Sequence, residues 1–290
     1  MSTARLVSNT ADLAQVLGRL NVSTTVPPHL YIDLEGINLS RHGSISLLTL
    51  YDRSLPCIFL IDVHALGFAA FTTPSTTCAT ISRSDDNIQL IGTNNIEMNV
   101  CSDEKPCLIT LKSILESPEI PKVFFDVRND SDALFHHFGI ELRGIQDLQV
   151  MELATRGGRN RERVNGLSRC IEFGLINVLT PLQRSQVKTI KARGAELFSP
   201  EKGGSYAVFN ERPLDMMLEH YCMQDVVHMP ALWNVYNYKL RIRFWNFVVE
   251  HETKKRLAES RAPAYLPTGM HKSLGWTWEH LRQLERAWNG

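Results

Sequence analysis

Three apolar runs separated only by short polar links constrain the fold most: HLYIDL at 29–34, SISLLTLYD at 44–52 and CIFLID at 57–62. Such runs, bounded by Pro, Gly, Ser and Asp, read as strands. Links this short join antiparallel neighbours, because a parallel crossover needs a dozen residues or more. Downstream, KVFFDV at 122–127 reads as a strand, Asp130 to Phe138 as a helix and GIQDLQV at 144–150 as a further strand, with helical patterning to about residue 257. A meander, then strand–helix–strand alternation, then helices, predicts an α/β domain: a mixed sheet flanked by helices.

Smaller elements fill the gaps. Leu13, Val16, Leu17 and Leu20 share one helical face behind Thr10, a candidate N-cap, and HALGFAAF at 64–71 and TLKSILES at 110–117 read as short helices. Residues 72–109 turn rich in Thr, Ser, Asn and Asp and are expected to be an insertion. Lys plus Arg and Asp plus Glu both total 31, so no global charge announces a polyanion partner and any nucleic-acid surface must be local. The six cysteines are scattered without C-x-x-C spacing, no leader-like segment opens the chain, and no apolar run reaches membrane-spanning length. An intracellular protein, cytoplasmic or nuclear and away from the membrane, is expected.

The acidic residues carry the chemistry. Asp33 and Glu35 form the only D-x-E in the chain. On a strand they project from one face while Leu30, Ile32 and Leu34 take the other. Two like charges held this close repel unless a cation lies between them, although an isolated D-x-E is more often a solvated strand edge. Asp130 falls at a strand-to-helix junction, where α/β sheets place their sites; read alone, it is a helix-capping residue. Asp225 follows Leu214, Met217, Leu218 and Tyr221 at helical spacing. Tyr221 then lies about 40° from Asp225 around the axis and His220 about 140° away, so tyrosine is the expected companion unless the helix begins later.

With these motifs in order, the sequence resembles the tyrosine-bearing branch of the DEDD-superfamily 3′-5′ exonucleases, which includes RNase D and the Werner exonuclease domain. KVFFDVRNDSDALFHHFGI and RPLDMMLEHYCMQDVVHMPALW are most similar to fungal and animal 3′-5′ exonuclease domain-containing proteins. The resemblance covers roughly residues 10–236. It implies a ribonuclease H-like mixed sheet, with an exonuclease domain over 1–236 that contains the 72–109 insertion, and a helical C-terminal extension over 237–290. It also implies two divalent cations, Mg²⁺ or Mn²⁺, held by Asp33, Glu35, Asp130 and Asp225, with Tyr221 orienting the attacking water. Asp33 would bridge both ions, Glu35 and Asp225 would complete the first site, and Asp130 would support the second. Relatives place Asn several residues ahead of the second-motif Asp, whereas here Asn129 adjoins Asp130, so Asp126 and Asp132 compete for that role.

The implied activity is hydrolysis of single-stranded RNA, favoured over DNA, to nucleoside monophosphates. A catalytically inactive RNA-binding or scaffolding module is the alternative, whose mark would be a lost carboxylate; none of the five motif positions is lost. Arg156, Arg159, Arg161 and Arg163, followed by Lys188 and Lys191 in a second basic cluster with Arg184 and Arg193, are candidates for a phosphate-binding stripe. Leu34 and Gly36 flank the acids where backbone would approach a terminal nucleotide. The C-terminal helices and the insertion are the surfaces expected to meet a protein partner.

Overall fold

The computed structural model describes residues 3–24, 26–77, 108–158 and 160–290. Most of the expected insertion, residues 78–107, and Arg159 lie outside the described residues. Six strands, β1 (Thr3–Val7), β2 (Leu30–Glu35), β3 (Leu47–Asp52), β4 (Cys57–Asp62), β5 (Lys122–Phe124) and β6 (Ile145–Asp147), form one sheet in the order β1-β4-β3-β2-β5-β6. The expected meander is present: β2 runs antiparallel to β3, and β3 to β4. β5 and β6 then add in parallel beside β2. β1 was not expected. It pairs in parallel with β4, and only Val7 of its five residues is buried, so it carries no alternating apolar signal.

Between β1 and β2 lies α1 (Thr10–Leu17), capped by the Asn9 side chain rather than by Thr10. The run at 64–71 is not one helix but two short ones, α2 (Val63–Leu66) and α3 (Ala69–Thr72), parted at Gly67, whose φ of +55° ends the first. α4 (Leu111–Glu116) is closed by a reciprocal Thr110–Ser113 capping box.

β5 is three residues long instead of six. The chain turns at Asp126, in the left-handed region at φ +57°, and enters α5 (Arg128–Phe138) two residues earlier than expected. That turn is fastened by Asp147 at the end of β6, whose carboxylate accepts from the Asp126 backbone N–H at 3.0 Å. The remaining helices are α6 (Leu148–Thr155), α7 (Leu167–Gly174), α8 (Pro181–Phe198), α9 (Met216–Val227), α10 (Met229–Lys239), α11 (Arg243–Arg261) and α12 (Trp278–Asn289).

The sheet is covered on both faces. Leu30, Ile32, Leu34, Leu48, Leu50, Phe59 and Ile61 pack with α1, α3, α4 and α5. The other face, with Leu47, Leu60, Tyr31 and Val123, lies under α6, α9 and α10. β2 is thus buried on both sides except where its acids interrupt it: Tyr31 is fully buried, whereas Asp33 and Glu35 remain partly accessible. α11 packs along α5 and α6. No helix among the described residues is long and apolar enough to cross a membrane.

Candidate active site

Strand alternation puts Asp33 and Glu35 on the face of β2 that meets α9, opposite Thr49 and Leu47 of β3. α9 is held down by Leu218 and Cys222, which pack on Leu47 and Leu60. Just ahead of it, Arg212 donates from Nε and Nη2 to the buried Asp62 carboxylate at 2.6 Å each, tying the helix to the end of β4. One and two turns beyond Leu218 the helix delivers Tyr221 and Asp225 over the two acids, while His220 is exposed on the far side. The spacing argument therefore holds: Tyr221, not His220, shares the aspartate's face.

Carboxylate oxygens of Asp33, Glu35 and Asp225 lie within 4.8 Å of one another. Burial, followed by repulsion from Asp225, Glu35 and Asp130, pushes Asp33 well above the usual carboxylate range. Glu35 is pushed up to about 8, first by burial and then by Asp225. Burial also raises Asp225, against the pull of Lys191. Burial raises the Tyr221 phenol, and the three carboxylates add to the effect, so it stays protonated and can donate a hydrogen bond.

Asp130 joins this field from the first turn of α5, where the helix dipole favours a carboxylate. It is not a cap, since Val127 holds that position. Burial, then Asp126, pushes Asp130 up to about 7. The competing aspartates are engaged elsewhere. Asp126 is gripped by Arg128 from Nε and Nη2 at 2.5 and 2.7 Å. Asp132 is fully buried and accepts from the Arg41 backbone N–H and Nε at 2.7 Å each.

These residues fit a divalent cation. All donors are hard carboxylate oxygens, the set that suits Mg²⁺ or Mn²⁺ rather than zinc. Asp225 Oδ2 is buried without a hydrogen-bond partner, a costly arrangement for protein alone and a natural one for a ligand atom.

Leu34 is 3% exposed and packs in the core, so its side chain is not available to a nucleotide. Gly36 lacks a side chain for an internal reason: a Cβ there would stand 2.0 Å from the Ser44 carbonyl oxygen. Arg156 pairs with Glu152 at 2.5 Å. Arg161 donates to the carbonyls of Leu153, Ala154, Arg156 and Gly158 and lies over the Trp245 ring, and Arg163 donates to Ser273. Lys188 is exposed beside Glu172 at 2.6 Å. Among the described residues, Arg156 and Arg161 are thus engaged in local structure, while Arg163 and Lys188 remain exposed.

Lys191 departs most from expectation. It is turned inward, its Nζ donating to Asp225 Oδ1 and lying 3.6 Å from the centroid of the Tyr221 ring. A signal for this was present: Val187, Lys191 and Gly194 recur at i, i+4 and i+7, the buried phase of α8. At Gly194 a Cβ would meet the Tyr221 side chain at 2.6–2.9 Å, so α8 can approach the tyrosine only with glycine there. Sequence reasoning also missed the C-terminal segment, which brings Tyr265 and Lys272 onto Asn129 Oδ1, next to Asp130.

The model of the 3′-5′ exonuclease family matches residues 94–227, a span that contains Asp130, Tyr221 and Asp225. The chain has the RNase D fold, and residues 94–227 are similar to the 3′-5′ exonuclease family. It is similar to RNase D of Trypanosoma brucei, in complexes with GMP (20% identity, TM-score 0.63, 98% of this chain and 71% of that one) and with RNA U12 (18%, 0.61, 97% and 79%). Escherichia coli RNase D, an exoribonuclease involved in structured RNA processing, superposes with TM-score 0.53 at 15% identity, over 90% of this chain and 51% of its own. The mouse piRNA biogenesis protein EXD1 is 27% identical over 175 residues, which make up 60% of this chain but only 22% of that protein. The match therefore spans about a fifth of that relative's length.

The shifts imply a pH signature for the metal-free domain. Unfolded carboxyls titrate near pH 4, whereas the folded site retains protons up to about 7 at Asp130 and about 8 at Glu35. Over that window the folded state binds more protons than the unfolded one, so stability falls as pH rises from about 4 toward 8. In chelator, Tm should drop by about 5 °C or more between pH 5.5 and 8.5. Glu35→Gln should flatten that slope, as should saturating Mn²⁺. Identical slopes in wild type and Glu35→Gln would remove this account.

Proposed function

We propose that the domain is a metal-dependent 3′-5′ exonuclease of the tyrosine-bearing type, acting on single-stranded RNA in preference to DNA and releasing nucleoside monophosphates. The observation that carries this reading is the convergence of Asp33, Glu35 and Asp225 within 4.8 Å beneath an inward-facing Tyr221. The family match supports 3′-5′ exonuclease chemistry, and the RNA bound to the Trypanosoma RNase D supports RNA as the polymer.

In this reading Asp33, Glu35 and Asp225 would hold one divalent cation, and Asp130 with Asp33 would hold a second, Mg²⁺ or Mn²⁺. When bound, the pair supplies Lewis-acid activation of the attacking water and charge stabilisation at the leaving 3′-oxygen. Tyr221 remains a neutral phenol beside three anions, so its part is to orient the water by a hydrogen bond and not to remove its proton. Packing of the Tyr221 ring edge-on against Phe198, at 4.9 Å between centroids, fixes the direction in which the phenol points. Residues 237–290 we assign to an extension packed on the catalytic domain, with α11 laid along α5 and α6. Among the described residues, Arg163, Lys188 and Arg193 are the exposed members of the basic run, open to a phosphate backbone.

The deciding experiment is digestion of 5′-labelled single-stranded RNA and DNA of matched sequence with Mg²⁺, Mn²⁺ or chelator. The expected result is a metal-dependent ladder shortening from the 3′ end, faster on RNA. Strand binding without any ladder under all metal conditions would instead identify an inactive RNA-binding module.

A further inference from the structure

Asp33 and Glu35 are repelled by Asp225 and Asp130 across the site, and Lys191 is a cation that offsets Asp33, Glu35 and Asp225. It does so by direct contact: Nζ donates to Asp225 Oδ1 and rests against the face of Tyr221, with the side chain 14% exposed. One oxygen of Asp225 is thereby occupied by an ammonium while Oδ2 stays buried without a partner. The same side chain bridges the ligand and the tyrosine, so both groups are held in place by Lys191.

We propose that Lys191 is a resident counter-ion of the metal-free site, which a divalent cation must displace from Asp225, so that this residue sets the metal affinity and keeps Asp225 and Tyr221 in register before metal arrives. The inference rests on the reading of Asp33, Glu35 and Asp225 as metal ligands. Its physical basis is competition. An ammonium and a divalent cation on one carboxylate repel each other at short range in a site shielded from water. The long lysine stem lets the ammonium swing toward solvent without disturbing α8. Apparent metal affinity is then the intrinsic affinity reduced by the fraction of molecules in which Asp225 is free.

The test is Mn²⁺ binding followed by the electron-paramagnetic signal of free ion, at fixed pH and without nucleic acid. Wild type, Lys191→Met and Lys191→Gln would be compared, with Asp33→Ala as the ligand control. Both Lys191 variants are expected to bind Mn²⁺ about tenfold more tightly than wild type or better, since both remove the competing charge while Gln keeps a donor for Asp225. In chelator the Met variant should melt below wild type and recover when Mn²⁺ is added. Equal or weaker binding by both Lys191 variants, with wild type binding well and Asp33→Ala not, would overturn the counter-ion role and leave the metal site standing. Absence of Mn²⁺ binding in every protein would overturn both.

Discussion

Asp33→Ala is expected to lower the rate of 3′-end degradation by about 10³-fold or more, equivalent to roughly 4 kcal/mol of lost transition-state stabilisation at 1.36 kcal/mol per tenfold. The size follows from its position. Asp33 feels Asp225, Glu35 and Asp130 together, which suits the role of serving both cation positions that the proposed function gives it. The same substitution should raise Tm in chelator, because it removes a carboxyl whose ionisation the folded site disfavours and the unfolded chain allows, and should abolish the stabilisation that Mn²⁺ gives wild type. The opposite movements of rate and stability separate a site residue from a structural one. Activity within tenfold of wild type, measured by single-turnover digestion, would remove Asp33 from the chemistry.

The second large effect separates two neighbours in sequence. Tyr221→Phe is expected to slow hydrolysis by about 10²-fold, the range for a positioned proton-handling group, whereas His220→Ala should leave the rate within about twofold. Tyr221 faces the carboxylates and His220 faces solvent from the opposite side of α9. Because Phe preserves the ring that packs on Phe198, Gly194 and Lys191, the loss reports the hydroxyl alone. With orientation of water as the role, kcat should fall and KM change little. Collapse of activity in His220→Ala beside a mild Tyr221→Phe would reverse the assignment.

Much of this site was legible because its logic is local. The D-x-E on a strand and the Y-x-x-x-D on a helix each place two side chains on one face by backbone periodicity alone, and both faces proved to be the inward ones. Asp130 was harder. Asp126, Asp130 and Asp132 all suit a strand-to-helix junction, and what separates them is distant chain: Arg41 takes Asp132, while Arg256 and Lys272 from the C-terminal segment add to the hold of Arg128 on Asp126. The short β5 was likewise not legible, because its end is set by the Asp126 turn that Asp147 fastens from β6.

The sequence by itself determined the sheet-forming runs, the antiparallel meander and the faces on which Asp33, Glu35, Tyr221 and Asp225 stand, because these follow from periods of 2 and 3.6 residues. Tertiary structure alone decided which aspartate of α5's approach stays unpaired by arginine, that β1 closes the sheet beside β4, and that the Ser44 carbonyl leaves no room for a side chain at Gly36. It also decided that Lys191 belongs to the acids and not to a basic surface. Most of these are choices of partner that helix or strand periodicity does not encode, several across long sequence separation. Charge and size say that a side chain needs a partner, and only packing says which one it meets.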